Sequence, residues 1–184
     1  MKRFSYVRGL AIGVIIIGVL MMFIAVFIPA WTAHFATKLA AINAKGATAP
    51  VDQVLKTLNL LTESTFMKQV WAYRFFLGLT LLTGGIGLYM FEKWGRAILF
   101  FYAVAQIIQS TWLLINVRPF QDLLNKSLID FPKQYPDLYT LTVNIVSLWT
   151  RQYGFGSIYG APVFGVFIFW FFNQPSVKAQ FSIR

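Results

Sequence analysis

Apolar residues fall into four long blocks along this chain, separated by polar stretches of unequal length. Gly9 to Thr37 contains no Asp, Glu, Lys or Arg. Its apolar core, Leu10 to Trp31, is long enough to cross a bilayer as a helix rising about 1.5 Å per residue. A secretory signal would have a shorter apolar region followed by an A-x-A-like site. No such site follows here, since Trp31 stands two positions before Ala33 and His34 two before Ala36, so an uncleaved span is expected.

Thr37 to Lys68 is polar overall, yet it hides a second pattern. Val51, Val54, Leu55, Leu58, Leu61 and Thr62 recur at helical spacing and predict a short amphipathic helix, with Pro50 and Asp52 suited to its first turn. The pattern continues through Phe66, Val70 and Trp71, so this helix is expected to run on into the next apolar block. That block, Phe75 to Phe91, is 17 uncharged residues and is short for a span unless Trp71, Ala72 and Tyr73 extend it, with Arg74 snorkelling toward the headgroups.

A compact charged turn, Glu92-Lys93-Trp94-Gly95-Arg96, then leads into Ala97 to Val117, so these two spans form an antiparallel hairpin. Arg118-Pro119 is expected to stop the third span, with one short helix over Phe120 to Asp130. Pro132 and Pro136 break the chain again. Leu138 to Thr150 is apolar but only 13 residues long, and reads as a helix lying at the interface or on the bundle. Tyr153 to Phe172 is the fourth apolar block, closed by Asn173-Gln174-Pro175.

The expected fold is therefore an all-α integral membrane protein with a single domain over 1–184. Four transmembrane helices, near 10–31, 71–91, 97–117 and 153–172, run in an antiparallel up-down arrangement. Short amphipathic helices lie in two long outer loops, near 32–70 and 118–152. Composition agrees: 58% of residues are hydrophobic and 12% charged, about half the charged share of a soluble domain.

Charge adds orientation and removes one class of partner. The net charge is +10, but the basic residues are scattered between apolar blocks rather than gathered in a stripe, so nucleic acid is not an expected partner. Lys2, Arg3, Arg8, Lys93, Arg96, Lys178 and Arg184 crowd into short segments, while nine other basic residues are diluted over the two long loops. This density places both termini and the turn in the cytoplasm of an inner or plasma membrane and the long loops outside.

Candidate chemistry is sparse. With no cysteine, thiolate metal sites, disulfides and cysteine nucleophiles are excluded. The single histidine, His34, is a weak candidate ligand without a second imidazole to complete a bis-histidine site. None of the six acids lies inside an expected span, where proton relays usually place them. No HExxH, GxSxG or phosphate-binding loop occurs. No cofactor is expected.

Two features remain. Gln109 and Asn116 are seven apart on the third span, with Gln106 and Ser110 beside them. An amide in hydrocarbon is costly without a partner, so this face should point inward, with Thr80 and Thr83 as candidate partners. It is either interhelical glue or a polar pocket for a quinone, a lipid headgroup or a small solute. The other feature is a set of small residues permitting close helix crossings: Gly9 and Gly13, Gly84, Gly156 and Gly160, and Gly165 after Ala161. Around them Phe164, Phe167, Phe169, Trp170, Phe171 and Phe172 point all round one helix, so some must face lipid or another subunit. The expected function is a non-catalytic accessory or scaffold subunit of a larger membrane complex, contacting membrane lipids and other integral membrane subunits. The alternatives are a binder or carrier of a lipophilic small molecule such as a lipid, quinone or pigment, and a membrane-embedded enzyme.

Overall fold

The computed structural model describes residues 2–43, 49–129, 136–151 and 160–181. Among these the chain is helical throughout. α1 is Lys2–Asn43, α2 Ala49–Glu63, α3 Thr65–Tyr89, α4 Lys93–Ile129, α5 Pro136–Arg151, α6 Ala161–Asn173 and α7 Pro175–Lys178, with a 3₁₀ turn over Ala179–Phe181. Three helices are long and apolar enough to cross a membrane, over Tyr6–Ala41, Thr65–Tyr89 and Lys93–Ser127. A shorter apolar helix covers Pro162–Asn173, while 152–159, the start of the expected fourth block, lies outside the described residues.

α1 is much longer than the expected 10–31. Its 42 residues extend about 63 Å, roughly twice a hydrocarbon core. Pro29 lacks the amide hydrogen that would reach the Ala25 carbonyl, yet the helix passes through it. Beyond it, alanines and Leu39 favour helix, and Thr32 and Thr37 return their hydroxyls to the Ile28 and Ala33 carbonyls. α4 likewise runs through Arg118-Pro119, where the sequence predicts a stop. Its buried positions Leu99, Tyr102, Gln106, Gln109, Leu113, Phe120 and Leu124 keep one three-four seam on both sides of the proline. Burying Phe120 and Leu124 outweighs one missing backbone hydrogen bond, whose acceptor belongs to the exposed Ile115.

Conversely, the helix expected to continue from α2 into α3 breaks. Ser64 takes extended backbone angles (φ −62°, ψ 141°) and accepts the Met67 amide at 3.3 Å, an N-cap that starts α3 afresh. The hairpin turn is also tighter than Glu92 to Arg96, because Lys93 already begins α4. Glu92 N–H donates to the Gly87 carbonyl at 2.8 Å and Phe91 N–H to Leu88 at 3.0 Å, closing α3 in a Schellman motif. Phe91 holds the left-handed position (φ 57°) that usually needs glycine.

The long helices pack in a row: α1 along α3, α3 along α4, and α4 against α6. Neighbours are antiparallel, because Gly85 lies at Ile15 while Gly78 lies at Met22, and Gly84 lies at Leu99 while Phe66 stacks on Phe120. One apolar cluster joins Val7, Val14, Leu81, Leu88, Leu99, Ile168 and Phe172 at one end of the row. At the other end α2 and α5 come in, and Leu61, Met67, Trp71, Leu113, Phe120, Leu124 and Val146 form a second cluster. A third, around Ala36, Val54 and Leu58, fastens α2 to the far end of α1.

Candidate functional site

The amide face of α4 is buried, as its composition predicts. Gln106 and Gln109 are each 2% exposed and Ser110 is 4%, while Asn116 is half-buried. Two hydrogen bonds of this face close within the helix. Ser110 donates to the Gln106 carbonyl at 2.8 Å, and the Asn116 amide to the Trp112 carbonyl at 2.8 Å. Thr80 and Thr83, the expected partners on α3, spend their donors on Leu77 (2.8 Å) and on Leu79 (2.9 Å) respectively. Among the described residues, nothing donates a hydrogen bond to the buried Gln106 Oε1. A carbonyl stripped of water without a replacement costs about 1–3 kcal/mol, so this atom can accept a donor supplied from outside the chain.

A cleft of about 560 Å³ opens where α2, the Ser64 cap and the far part of α4 meet, a site the sequence reading did not single out. Gln53, Lys56, Asn59, Leu60, Glu63, Ser64 and Ser127 line it. Its floor is a cross-helix network: Gln53 Nε2 donates to the Ser127 carbonyl at 2.8 Å and the Thr57 hydroxyl to Ser127 Oγ at 3.2 Å. Glu63 at its rim is paired with Lys68 at 2.6 Å, both well exposed, so the pair adds little stability. The signal in the sequence was a polar i, i+4 pair, Gln53 and Thr57, at the border of an otherwise apolar stripe.

At the opposite end the start of α1, the hairpin turn and the tail converge. The Arg8 guanidinium lies over the Tyr89 ring (5.6 Å) and the Phe91 ring (5.4 Å). Arg96 lies over Phe100 (5.8 Å) and Phe181 (5.9 Å), and Phe91 sits 6.3 Å from Phe181. These contacts fasten three segments distant in sequence with basic side chains that keep their charge accessible.

The glycines divide by use. A β-carbon on Gly84 would stand 2.7 Å from Leu99 Cδ2, and Gly165 meets the Ala103 backbone at 3.4 Å. Gly9 and Gly13 face nothing within 4 Å, and Gly160, ahead of α6, is exposed. Gly156 lies outside the described residues. Glycine meets glycine backbone to backbone elsewhere, between Gly18 and Gly78 and between Gly87 and Gly95. Gly18 escaped the sequence reading because its partner lies on another helix, at no fixed spacing.

Gly9 and Gly13 belong to a second stripe of α1. Val7, Ala11, Val14, Gly18, Ala25, Thr32 and Ala36 are the buried stripe. Nearly opposite, Tyr6, Gly9, Gly13, Ile16, Leu20, Phe23 and Phe27 repeat at alternating three and four residue steps, and all but the half-buried Gly13 are exposed. His34 is exposed further along the same helix. Among the described residues, no three His, Cys, Asp or Glu side chains are grouped as a metal site would require.

Comparison with protein-family models, curated proteins and solved structures finds no match to this chain.

Proposed function

We propose that this chain is a non-catalytic integral membrane subunit that scaffolds a larger membrane protein complex. The observation that carries this reading is the outer stripe of α1. Gly9 and Gly13 stand open to approach there, and the exposed Ile16, Leu20, Phe23 and Phe27 continue an apolar surface on which a partner helix can pack. In this reading four spans cross a cell membrane, α6 being the described part of the fourth. The helix ends bearing α2 and α5 project outside, and both termini are cytoplasmic. The convergence of Arg8, Arg96 and Phe181 at one end supports a common side for termini and turn, and the Lys/Arg density supports the cytoplasmic one. The test is native purification in mild detergent. Co-purifying integral membrane subunits in fixed ratio support the proposal, and a lone chain overturns it.

A second reading, a binder of a lipophilic small molecule, is favoured by the orphaned Gln106 carbonyl. Recovery of one lipid or quinol species with the chain, lost in Gln106→Leu, supports that reading.

A further inference from the structure

Cations gather with little counter-charge where the start of α1, the hairpin turn and the tail meet. Arg8, Lys93, Arg96 and Lys178 come from these three segments, and Glu92 is the one acid the segments contain. Among the described residues, none of the four cations is held in an ion pair. Lys93 and Arg96 stand in the first turn of α4, which has no acid, so they face the positive end of that helix dipole. Rings steady the two arginines instead. Arg8 lies over Tyr89 and Phe91, Arg96 lies over Phe100 and Phe181, and the Phe91 and Phe181 rings are neighbours. A ring takes up the flat face of a guanidinium and leaves its edge N–H groups to bind something else. Arg96 is half-buried, so its donors are partly withdrawn from water. Phe91 takes the left-handed backbone (φ 57°) that glycine usually fills, and its ring touches both Arg8 and Phe181.

We propose that this basic end binds the phosphate headgroup of an anionic phospholipid, with Arg8 and Arg96 as its hydrogen-bond donors and Lys93 and Lys178 adding positive charge. Chemistry decides the ligand class. The edge of a guanidinium matches phosphate oxygens in pairs, and an anion beside the first turn of α4 offsets cations that the helix dipole disfavours. Depth decides the source. Arg8 stands two positions before the apolar core that begins at Leu10. Tyr6, Tyr89 and Trp94 are exposed at the same end, and such aromatic side chains are enriched at headgroup level. A headgroup phosphate of the adjacent leaflet reaches the guanidiniums without leaving the bilayer surface, whereas a soluble phosphate has to be drawn from water. The bound lipid ties the first span to the hairpin and to the tail. This inference needs the long helices to cross a membrane and does not depend on the scaffold reading.

The test is binding of phosphatidylglycerol to the full chain in neutral-detergent micelles, read by native mass spectrometry, with zwitterionic phosphatidylcholine for comparison. Phosphatidylglycerol is expected to bind about tenfold more tightly than phosphatidylcholine, and to lose about tenfold in Arg8→Gln or Arg96→Gln. Lys126→Gln removes the same charge from an exposed position on the far part of α4 and is expected to leave binding unchanged. An equal loss in Lys126→Gln would show attraction by net charge alone and overturn the site. Equal binding of the two lipids by the unaltered chain would overturn it as well, whether or not the variants fold. Inorganic phosphate separates the two sources of the same chemistry. Lipid binding that survives millimolar phosphate supports the proposal, and displacement would assign the site to a soluble phosphate and overturn the lipid. None of these results bears on the scaffold reading, which is tested by the subunits that co-purify.

Discussion

Gly18 and Gly78 touch backbone to backbone across the α1–α3 interface: a β-carbon on Gly18 would lie 2.8 Å from the Gly78 carbonyl oxygen, and one on Gly78 2.9 Å from that of Gly18. Neither neighbouring atom is the end of a flexible side chain, so a substituent can be admitted only by moving a helix. Gly18→Ala should therefore destabilise the chain by about 1–3 kcal/mol in thermal unfolding in detergent. Gly9→Ala on the same helix meets open space. It should be neutral or stabilising by up to about 1 kcal/mol through helix propensity. Equal effects at the two positions would show that α1 and α3 do not cross at Gly18.

The orphaned Gln106 carbonyl makes a signed prediction. With the site empty, Gln106→Leu replaces a desolvated amide by an apolar side chain of similar size and should raise stability by about 1 kcal/mol. Loss of stability instead, together with loss of a co-purifying small molecule, would mean that a ligand supplies the missing donor.

Thr57 and Ser127 couple α2 to the far part of α4 through a buried hydroxyl pair 3.2 Å apart. In a double-mutant cycle with Thr57→Val and Ser127→Ala, the coupling should be about 0.5–1.5 kcal/mol. It should not change with salt, because neither partner is charged. A coupling near zero would mean that α2 is held by the Gln53 bond to the Ser127 carbonyl and by its apolar contacts, with nothing added by the hydroxyl pair.

Orientation can be read with an impermeant thiol reagent on a chain that lacks native cysteine. Asn125 and Ser176 are both exposed and lie at opposite ends of the helix row. Asn125→Cys should label in intact cells or spheroplasts, and Ser176→Cys only after lysis. The reverse pattern would place the termini outside and invert the proposed topology.

Helix type and approximate position were legible in the sequence because they rest on local rules. The absence of charge from Gly9 to Thr37 and the spacing of Val51, Val54, Leu58 and Leu61 each require only one helix to interpret. The inward turn of Gln106, Gln109 and Ser110 followed from the cost of an amide in hydrocarbon, which holds whatever the neighbours are. Breakpoints were less legible, because they are set by competition with burial elsewhere. Pro119 failed to stop α4 because Phe120 and Leu124 had a core to enter, and Ser64 broke a continuous apolar pattern by capping α3. Which glycines of α1 serve as contacts was decided only by the tertiary structure. The sequence marks Gly9 and Gly13 by their spacing, yet the tight crossing falls at Gly18 and Gly78, which are paired across two helices. A spacing rule describes one helix surface, whereas a close approach needs two surfaces at one depth, and that depth is set by the hairpin and the register of the whole row.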